Sequence, residues 1–323
     1  AVDVSVRNAG KSFIQVKDNG CGMSMDGLKL CIERHATSKI PDEDLFNIKT
    51  LGFRGEALPS IGAVSRLNIT SRQADSDEAW QIRVEGGEIH NPTPASHPVG
   101  TTIEVSDLFF ATPARLKFLK TDSTELSHIT DLLNRIAMSN PDVAISLKDE
   151  RREVINYPAE TGEDHLLSRL KRVMGQEFYD NCLKIKAGRE GASAYGYVGL
   201  PTLNKANASQ QFLFVNGRPV KDKVLNGAVR AAYQDFLARD RHPLLAIYLN
   251  LPPEDVDMNV HPAKTEVRFQ QPGNVRGLIV SAIKEALSQA GHRASTTVSS
   301  AALGAFKAPS APSYPTRQMP LTS

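Results

Sequence analysis

The sequence predicts an α+β chain made of two units in tandem. Three observations carry this. At 323 residues the chain exceeds the roughly 250 residues at which a single core stops growing. Stretches that alternate apolar and polar residues are mixed with stretches of helical spacing, which fits neither an all-helical nor an all-strand architecture. Around Tyr157 to Asp164 the composition turns to Pro, Glu and Gly, and a fresh set of elements begins beyond it. The boundaries that follow are a first domain over 1–160, a second over 161–291, and a flexible Pro-, Ser- and Ala-rich linker over 292–323.

In the first domain, Asp3 to Arg7 alternates, Asn8 to Gly10 turns and Ser12 to Asp18 alternates again, which predicts two strands about a turn. Leu28, Cys31, Ile32 and His35 have helical spacing, and a glycine-punctuated stretch runs from Leu51 to Gly62. Strands are expected around Leu67 to Thr70, Gln81 to Val84 and Thr101 to Val105. Asp122 and Glu125 have capping-box spacing ahead of a helix whose core face carries Leu126, Ile129, Leu133 and Ile136. In the second domain, Leu166, Leu167, Leu170 and Val173 mark a helix. Strands follow at Ala194 to Val198, Phe212 to Val215, Leu244 to Leu249 and Glu266 to Phe269, with helices near Lys223 to Leu237 and Val275 to Ala290.

Composition narrows the function classes. With 41% hydrophobic and 23% charged residues the chain reads as an ordinary globular protein, not a disordered or fibrous one. A net charge of only +2 gives no whole-chain field toward nucleic acid, so any DNA contact must come from a local patch. No stretch approaches the roughly 18 apolar residues of a membrane span, and the start lacks a secretory pattern; the expectation is a cytoplasmic protein with no membrane partner. Cys21, Cys31 and Cys182 are an odd number without a CxxC spacing, which argues for reduced core or edge residues over a disulfide framework or a zinc site.

Gly10, Lys11 and Ser12 spell the end of a phosphate-binding P-loop, but Ser5 stands where the first glycine is needed and a strand follows, so a turn is the better reading. The stretch DNGCGM, Asp18 to Met23, closes an alternating strand. By period two Ile14, Val16 and Asp18 share a face, so the carboxylate points with the buried residues and needs a partner. An adenine amino group suits it, and Gly20 and Gly22 would let backbone approach a base; a simple DNG turn is the alternative. In HATSK, His35 to Lys39, the residues Thr37, Ser38 and Lys39 offer two hydroxyls and a cation for phosphate oxygens or a metal-bound water, or else a polar helix end. In LGFRGEAL, Leu51 to Leu58, Gly52 and Gly55 flank Phe53 and Arg54 just before a helix, an arrangement suited to a phosphate lid or to a structural turn. A hydroxyl in Gly100 to Thr102 could support the Asp18 carboxylate. Lys264, at the tip of the polar loop DVDMNVHPAK, could meet a terminal phosphate as a point charge, though a lone surface lysine is usually just solvated.

Taken in order, DNGCGM, HATSK, LGFRGEAL, GTTIEV, TPARLKFL, FVNGRPV and NVHPAKTEVRF resemble the MutL mismatch repair family, over Asp18 to Phe269. The resemblance implies a GHKL (Bergerat) ATPase α/β sandwich followed by a ribosomal-S5-domain-2-like transducer domain. It implies that Asp18 recognises adenine with Gly22 beside it, and that Thr37, Ser38 and Lys39 face the phosphates. It also implies that Gly52, Phe53, Arg54, Gly55, Glu56, Ala57 and Leu58 form the ATP lid, that Thr101 supports the adenine contact, and that Lys264 reaches the γ-phosphate. The cofactors implied are ATP and Mg²⁺. In the family a helix ahead of the first strand carries a catalytic glutamate and a Mg²⁺-binding asparagine. This chain starts at Ala1, after that helix, so no catalytic or metal-binding residue is expected within it and its hydrolysis is expected to be feeble.

The function implied is that of a mismatch repair mediator. ATP binding and slow hydrolysis would drive N-terminal dimerisation and couple MutS to a downstream repair nuclease or helicase, with a C-terminal dimerisation domain expected beyond the linker and a nucleoid-associated location. Arg218, Lys221, Lys223 and Arg230 are the best local cluster for weak contact with the DNA backbone, against a solvated helix face. Two alternatives remain at this stage: a gyrase-type topoisomerase ATPase domain, and a catalytically dead interaction module.

Overall fold

The computed structural model describes residues 1–34, 55–257 and 267–305, with side chains through residue 290. The first half builds a nine-stranded sheet. Its strands are β1 (Val2–Arg7), β2 (Phe13–Asp18), β3 (Arg66–Arg72), β4 (Ala79–Glu85), the short β5 (Glu88–Ile89) and β6 (Thr93–Ala95), β7 (Gly100–Ser106), β8 (Ile145–Asp149) and β9 (Arg152–Tyr157). They lie in the order β5-β4-β3-β7-β2-β1-β8-β9, with β6 also on β4. Every pairing is antiparallel except β1 with β8. The turn between β1 and β2 is a single 3₁₀ turn, Asn8–Gly10, and Lys11 beside it pairs with Asp122 at 2.7 Å.

Strand alternation gives this sheet two unlike faces. Val4, Val6, Ile145 and Leu147 on one half, and Leu67, Ile69, Ile82 and Val105 on the other, point to the face covered by helices. These are α1 (Met25–Cys31), α2 (Ala57–Gly62) and α3 (Asp122–Ser139). The opposite face is polar: Gln15 and Asn68 donate to the two carboxylate oxygens of Glu104 at 2.8 and 2.9 Å, and Gln81 donates to Thr70 at 3.1 Å.

Helix α3 starts one residue earlier than the capping-box spacing indicates. Thr121 is the N-cap, and the Glu125 carboxylate accepts the Lys120 N–H at 2.7 Å in place of a bond at Asp122. Leu126, Ile129, Leu133 and Ile136 pack on the first sheet. The adjoining face of the same helix meets the second half of the chain. There Met138 joins a second core, the Met138 carbonyl accepts the Tyr248 hydroxyl at 2.9 Å, and the Arg135 guanidinium lies 4.9 Å from the Phe212 ring centroid.

The second half opens with α4 (His165–Met174) and α5 (Gln176–Asp180), then β10 (Cys182–Arg189), β11 (Ala192–Gly199) and β12 (Asn204–Lys205). It continues with β13 (Gln211–Val215), β14 (Arg218–Val220), α6 (Lys223–Tyr233), β15 (His242–Pro243), β16 (Leu245–Asn250), β17 (Val256–Asp257), β18 (Arg268–Phe269) and α7 (Pro272–Ala305). The main sheet runs β10-β11-β16-β13-β14, with β13 and β16 parallel. β13 and β16 are apolar at nearly every position, as expected of strands buried on both faces. One face packs on α6 and α7 through Leu213, Val215, Leu245 and Ile247; the other packs on α4 and α5 through Phe212, Phe214, Ala246 and Tyr248. Asp222 caps α6 by accepting the Val224 and Leu225 N–H groups at 2.8 and 3.0 Å. Helix α7 continues through residues 292–305 to Ala305, inside the stretch expected as a linker. The stretch carries four alanines and no proline, the next being Pro309, so no ring interrupts the helical hydrogen bonds.

Arg169 of α4 lies wholly buried where the two halves meet. One of its terminal nitrogens donates to the Pro141, Val143 and Pro158 carbonyls at 2.9, 2.9 and 2.8 Å, and its guanidinium stands 5.4 Å from the Tyr157 ring centroid. Desolvation pulls its pKa below the usual arginine value, with Glu160 opposing.

Candidate functional site

The site is built at one end of the first sheet, where three neighbouring strands place polar residues on the helix-covered face. Asp18, the last residue of β2, lies opposite Thr101 of β7, and Thr101 lies opposite Ser71 of β3. Directly opposed residues in antiparallel strands point the same way with Cβ atoms about 5 Å apart. Asp18, Thr101 and Ser71 therefore form one cross-strand row. Below it on the same face run the apolar pairs Val16–Ile103 and Ile103–Ile69, so the row forms a polar margin on a hydrophobic floor.

Each member is held differently. Asp18 is half-buried, and its Oδ1 accepts the Gly20 N–H at 2.9 Å, with no hydrogen bond to Oδ2 among the described residues. Thr101 is 6% exposed and Ser71 is fully buried. Ser71 Oγ lies 2.9 Å from Thr101 Oγ1, donates to the Gly100 carbonyl at 2.9 Å and accepts the Met23 N–H at 2.8 Å. The loop after Asp18 is thus stapled to the end of β3, and a backbone bond from Ala74 N–H to the Cys21 carbonyl at 3.0 Å closes it further.

Two glycines make the close approach possible. Gly22 has φ +69°, and a Cβ there would stand 1.9 Å from the Arg72 carbonyl oxygen; Gly100 has φ +124°, and a Cβ would stand 2.2 Å from the Asp18 carbonyl oxygen. No side chain fits either position. Of the expected lid, Gly55, Glu56, Ala57 and Leu58 are described. Gly55 has φ +61°, Glu56 is the N-cap of α2, and the half-buried Leu58 side chain packs against the core under β3 and β4. Thr37, Ser38, Lys39, Gly52, Phe53, Arg54 and Lys264 lie outside the described residues. Ser71 was absent from the sequence reading. Its signal was parity, because Leu67, Ile69 and Ser71 share one strand face and a serine there replaces an apolar residue.

The expected basic cluster is corrected. Arg218 is only 6% exposed, and burial depresses its pKa, so it belongs to the interior and not to an exposed patch. It sits on β14, whose pairing with β13 turns it inward. Lys221 and Lys223 are exposed, Lys221 at 4.0 Å from Asp131. Arg230 instead lines a cavity of about 780 Å³ together with Arg239, Arg241 and Arg276. Among the described residues its one acidic lining residue, Asp235, is paired with Lys284 at 3.1 Å. Arg239 and Arg241 come from the Arg-Asp-Arg stretch after α6, which the sequence reading passed over.

Known proteins with this arrangement settle the family. The chain is 57% identical over 307 residues to the DNA mismatch repair protein MutL of Paramagnetospirillum magneticum, covering 94% of this chain and 51% of that protein. The chain belongs to the MutL family. A family model described as "DNA mismatch repair protein, C-terminal domain" matches residues 170–288, the second half of the structure. The fold aligns with the Aquifex aeolicus MutL ATPase domain complexed with ADP at a TM-score of 0.57 and 29% identity, over 86% of this chain and 88% of that one. It also aligns with the N-terminal domain of a DNA repair protein at a TM-score of 0.74 and 21% identity, over 89% of each chain, which speaks for the fold alone. The architecture is that of the GHKL ATPase domains, of mixed α and β structure, and the family is an ATPase family. The chain spans about half the length of the MutL relative. Among the described residues no helix is long and apolar enough to cross a membrane.

Proposed function

We propose that this chain binds ATP at the Asp18 end of the first sheet and serves as the nucleotide-driven part of a DNA mismatch repair mediator. The observation that carries the reading is the row Asp18–Thr101–Ser71. It presents a carboxylate with one oxygen open among the described residues, on an apolar floor, beside two glycines where backbone meets backbone. Asp18 would accept the adenine amino group, Thr101 would support that contact, and Gly22 would give the base its edge. Thr37, Ser38 and Lys39, the segment Gly52 to Leu58, and Lys264 would hold the triphosphate. Mg²⁺, bound along with the nucleotide, would supply Lewis-acid assistance at the terminal phosphate. None of residues 1–323 is proposed as general base or as metal ligand.

At the level of the whole protein, we propose that ATP brings two such units together and couples MutS to a downstream nuclease or helicase in the cytoplasm. Lys221, Lys223 and Arg230 would contact the DNA backbone. The arginine-lined cavity extends that basic surface, since planar guanidinium forks match phosphate oxygens. Such binding should weaken steeply with salt. The test of the nucleotide reading is a titration with a fluorescent non-hydrolysable ATP analogue, with and without Mg²⁺. Saturable binding that Asp18→Asn abolishes is expected; equal binding by Asp18→Asn refutes the assignment.

A further inference from the structure

The contacts of Ser71 assign a further role at the same site, and the argument rests on reading that site as an adenine pocket. Ser71 Oγ is fully buried and has three partners: the Met23 N–H at 2.8 Å, the Gly100 carbonyl at 2.9 Å and Thr101 Oγ1 at 2.9 Å. A hydroxyl carries one proton and two lone pairs. The Gly100 carbonyl can only accept, so it takes the Ser71 proton. The Met23 N–H can only donate, so it occupies one lone pair. The remaining lone pair faces Thr101, which must then be the donor of that contact.

We infer that Ser71 is a specificity-determining positioning residue: it holds the Thr101 proton away from the base, so that the Asp18–Thr101 row offers the 6-position of the purine only acceptors. Those acceptors are the Asp18 carboxylate and the lone pairs of Thr101, side by side in the cross-strand row. The 6-amino group of adenine, or a water that it holds, satisfies them. The 6-oxo group of guanine brings acceptor against acceptor, and a buried acceptor without a donor is costly. A Thr101 hydroxyl free to rotate would relieve that clash by donating. Selection against guanine therefore depends on a serine that need not touch the base.

The test measures affinities of fluorescent non-hydrolysable ATP and GTP analogues for the full chain, with thermal melts alongside. Ser71→Ala should lower the ATP-to-GTP affinity ratio by roughly tenfold, the scale of one misoriented hydrogen bond. Ser71→Cys, close to isosteric with a poor acceptor, should lower it in the same direction with packing kept, and Ser71→Thr should restore it. A purely structural role for Ser71 would reduce both affinities equally and leave the ratio unchanged in Ala and Cys variants alike; that result overturns the inference. Asp18→Asn separates the two levels. Loss of binding in Asp18→Asn with an unchanged ratio in the Ser71 variants removes the Ser71 role and leaves the adenine pocket standing. Unaltered binding in Asp18→Asn removes both.

Discussion

The two sheets use the same strand chemistry to opposite ends. The second is buried on both faces, with Phe214 stacked on Tyr248 at 4.5 Å between ring centroids and apolar residues filling β13 and β16. The first buries one face and solvates the other, and at one margin of its buried face it gives up apolar residues for Asp18, Thr101 and Ser71. A sheet filled on both sides has no room for a polar row and serves as a rigid body. A sheet with a graded face can seat a base on its apolar floor and recognise it at the polar edge. On the reading proposed above, nucleotide recognition belongs to the margin of the first sheet, and the second supplies a packed body beside it.

The joint between the two should break most visibly. Arg169→Ala empties a fully buried position and leaves three carbonyls without their shared donor, so unfolding free energy should fall by about 3–5 kcal/mol. Urea denaturation followed separately by near-ultraviolet and far-ultraviolet dichroism would read this; coincident loss of under about 1 kcal/mol would show that the arginine is not the clasp. Next in size, Gly22→Ala should lower ATP-analogue affinity on the order of a hundredfold, because a left-handed backbone and a Cβ at 1.9 Å from the Arg72 carbonyl force the loop off β3. Hydrogen exchange on β13 and β16 should stay unchanged in that variant, and slackening there would contradict the division of labour between the sheets.

Smaller effects sharpen the same contrast. Tyr248→Phe removes the hydroxyl that reaches the Met138 carbonyl, and should cost about 1–2 kcal/mol in a thermal or chemical melt while leaving nucleotide affinity intact. The smallest effect concerns the thiols. Burial pushes Cys31, beneath the first sheet, and Cys182, beside the second, up to about 11 from an ordinary 9.0. The folded chain then retains protons that the unfolded chain releases, so stability is full below pH 9.0 and declines as pH rises toward about 11. Melting temperatures between pH 8 and pH 11 should fall less steeply in Cys31→Ala and Cys182→Ala than in the parent, after allowing for their lower starting stability.

How much of this was readable from the residues alone follows from what periodicity can report. Strand alternation located β2, β3 and β7 and put Asp18 on the buried face, because parity is fixed by the pleat. It did not identify Ser71, since a serine two residues beyond Ile69 reads as the start of a turn until the facing strand is known. The buried Arg169 sits at the i+3 position of the stripe Leu166, Leu170, Val173, a signal overlooked because a charge is expected outside. Arg218 failed in the reverse sense. Its nearness in sequence to Lys221 and Lys223 suggested an exposed basic cluster, but its strand pairs inward with β13, and only the tertiary register shows that. The helical run to Ala305 was hidden by low-complexity composition, which marks both linkers and alanine-rich helices.

The most direct test of the central claim is a crystal structure of the chain with bound ADP. The account predicts the purine on the apolar floor, its amino nitrogen about 2.9 Å from Asp18 Oδ2, with Thr101 Oγ1 alongside and its contact to Ser71 kept. A purine bound elsewhere, or one whose amino group faces away from Asp18, would contradict it.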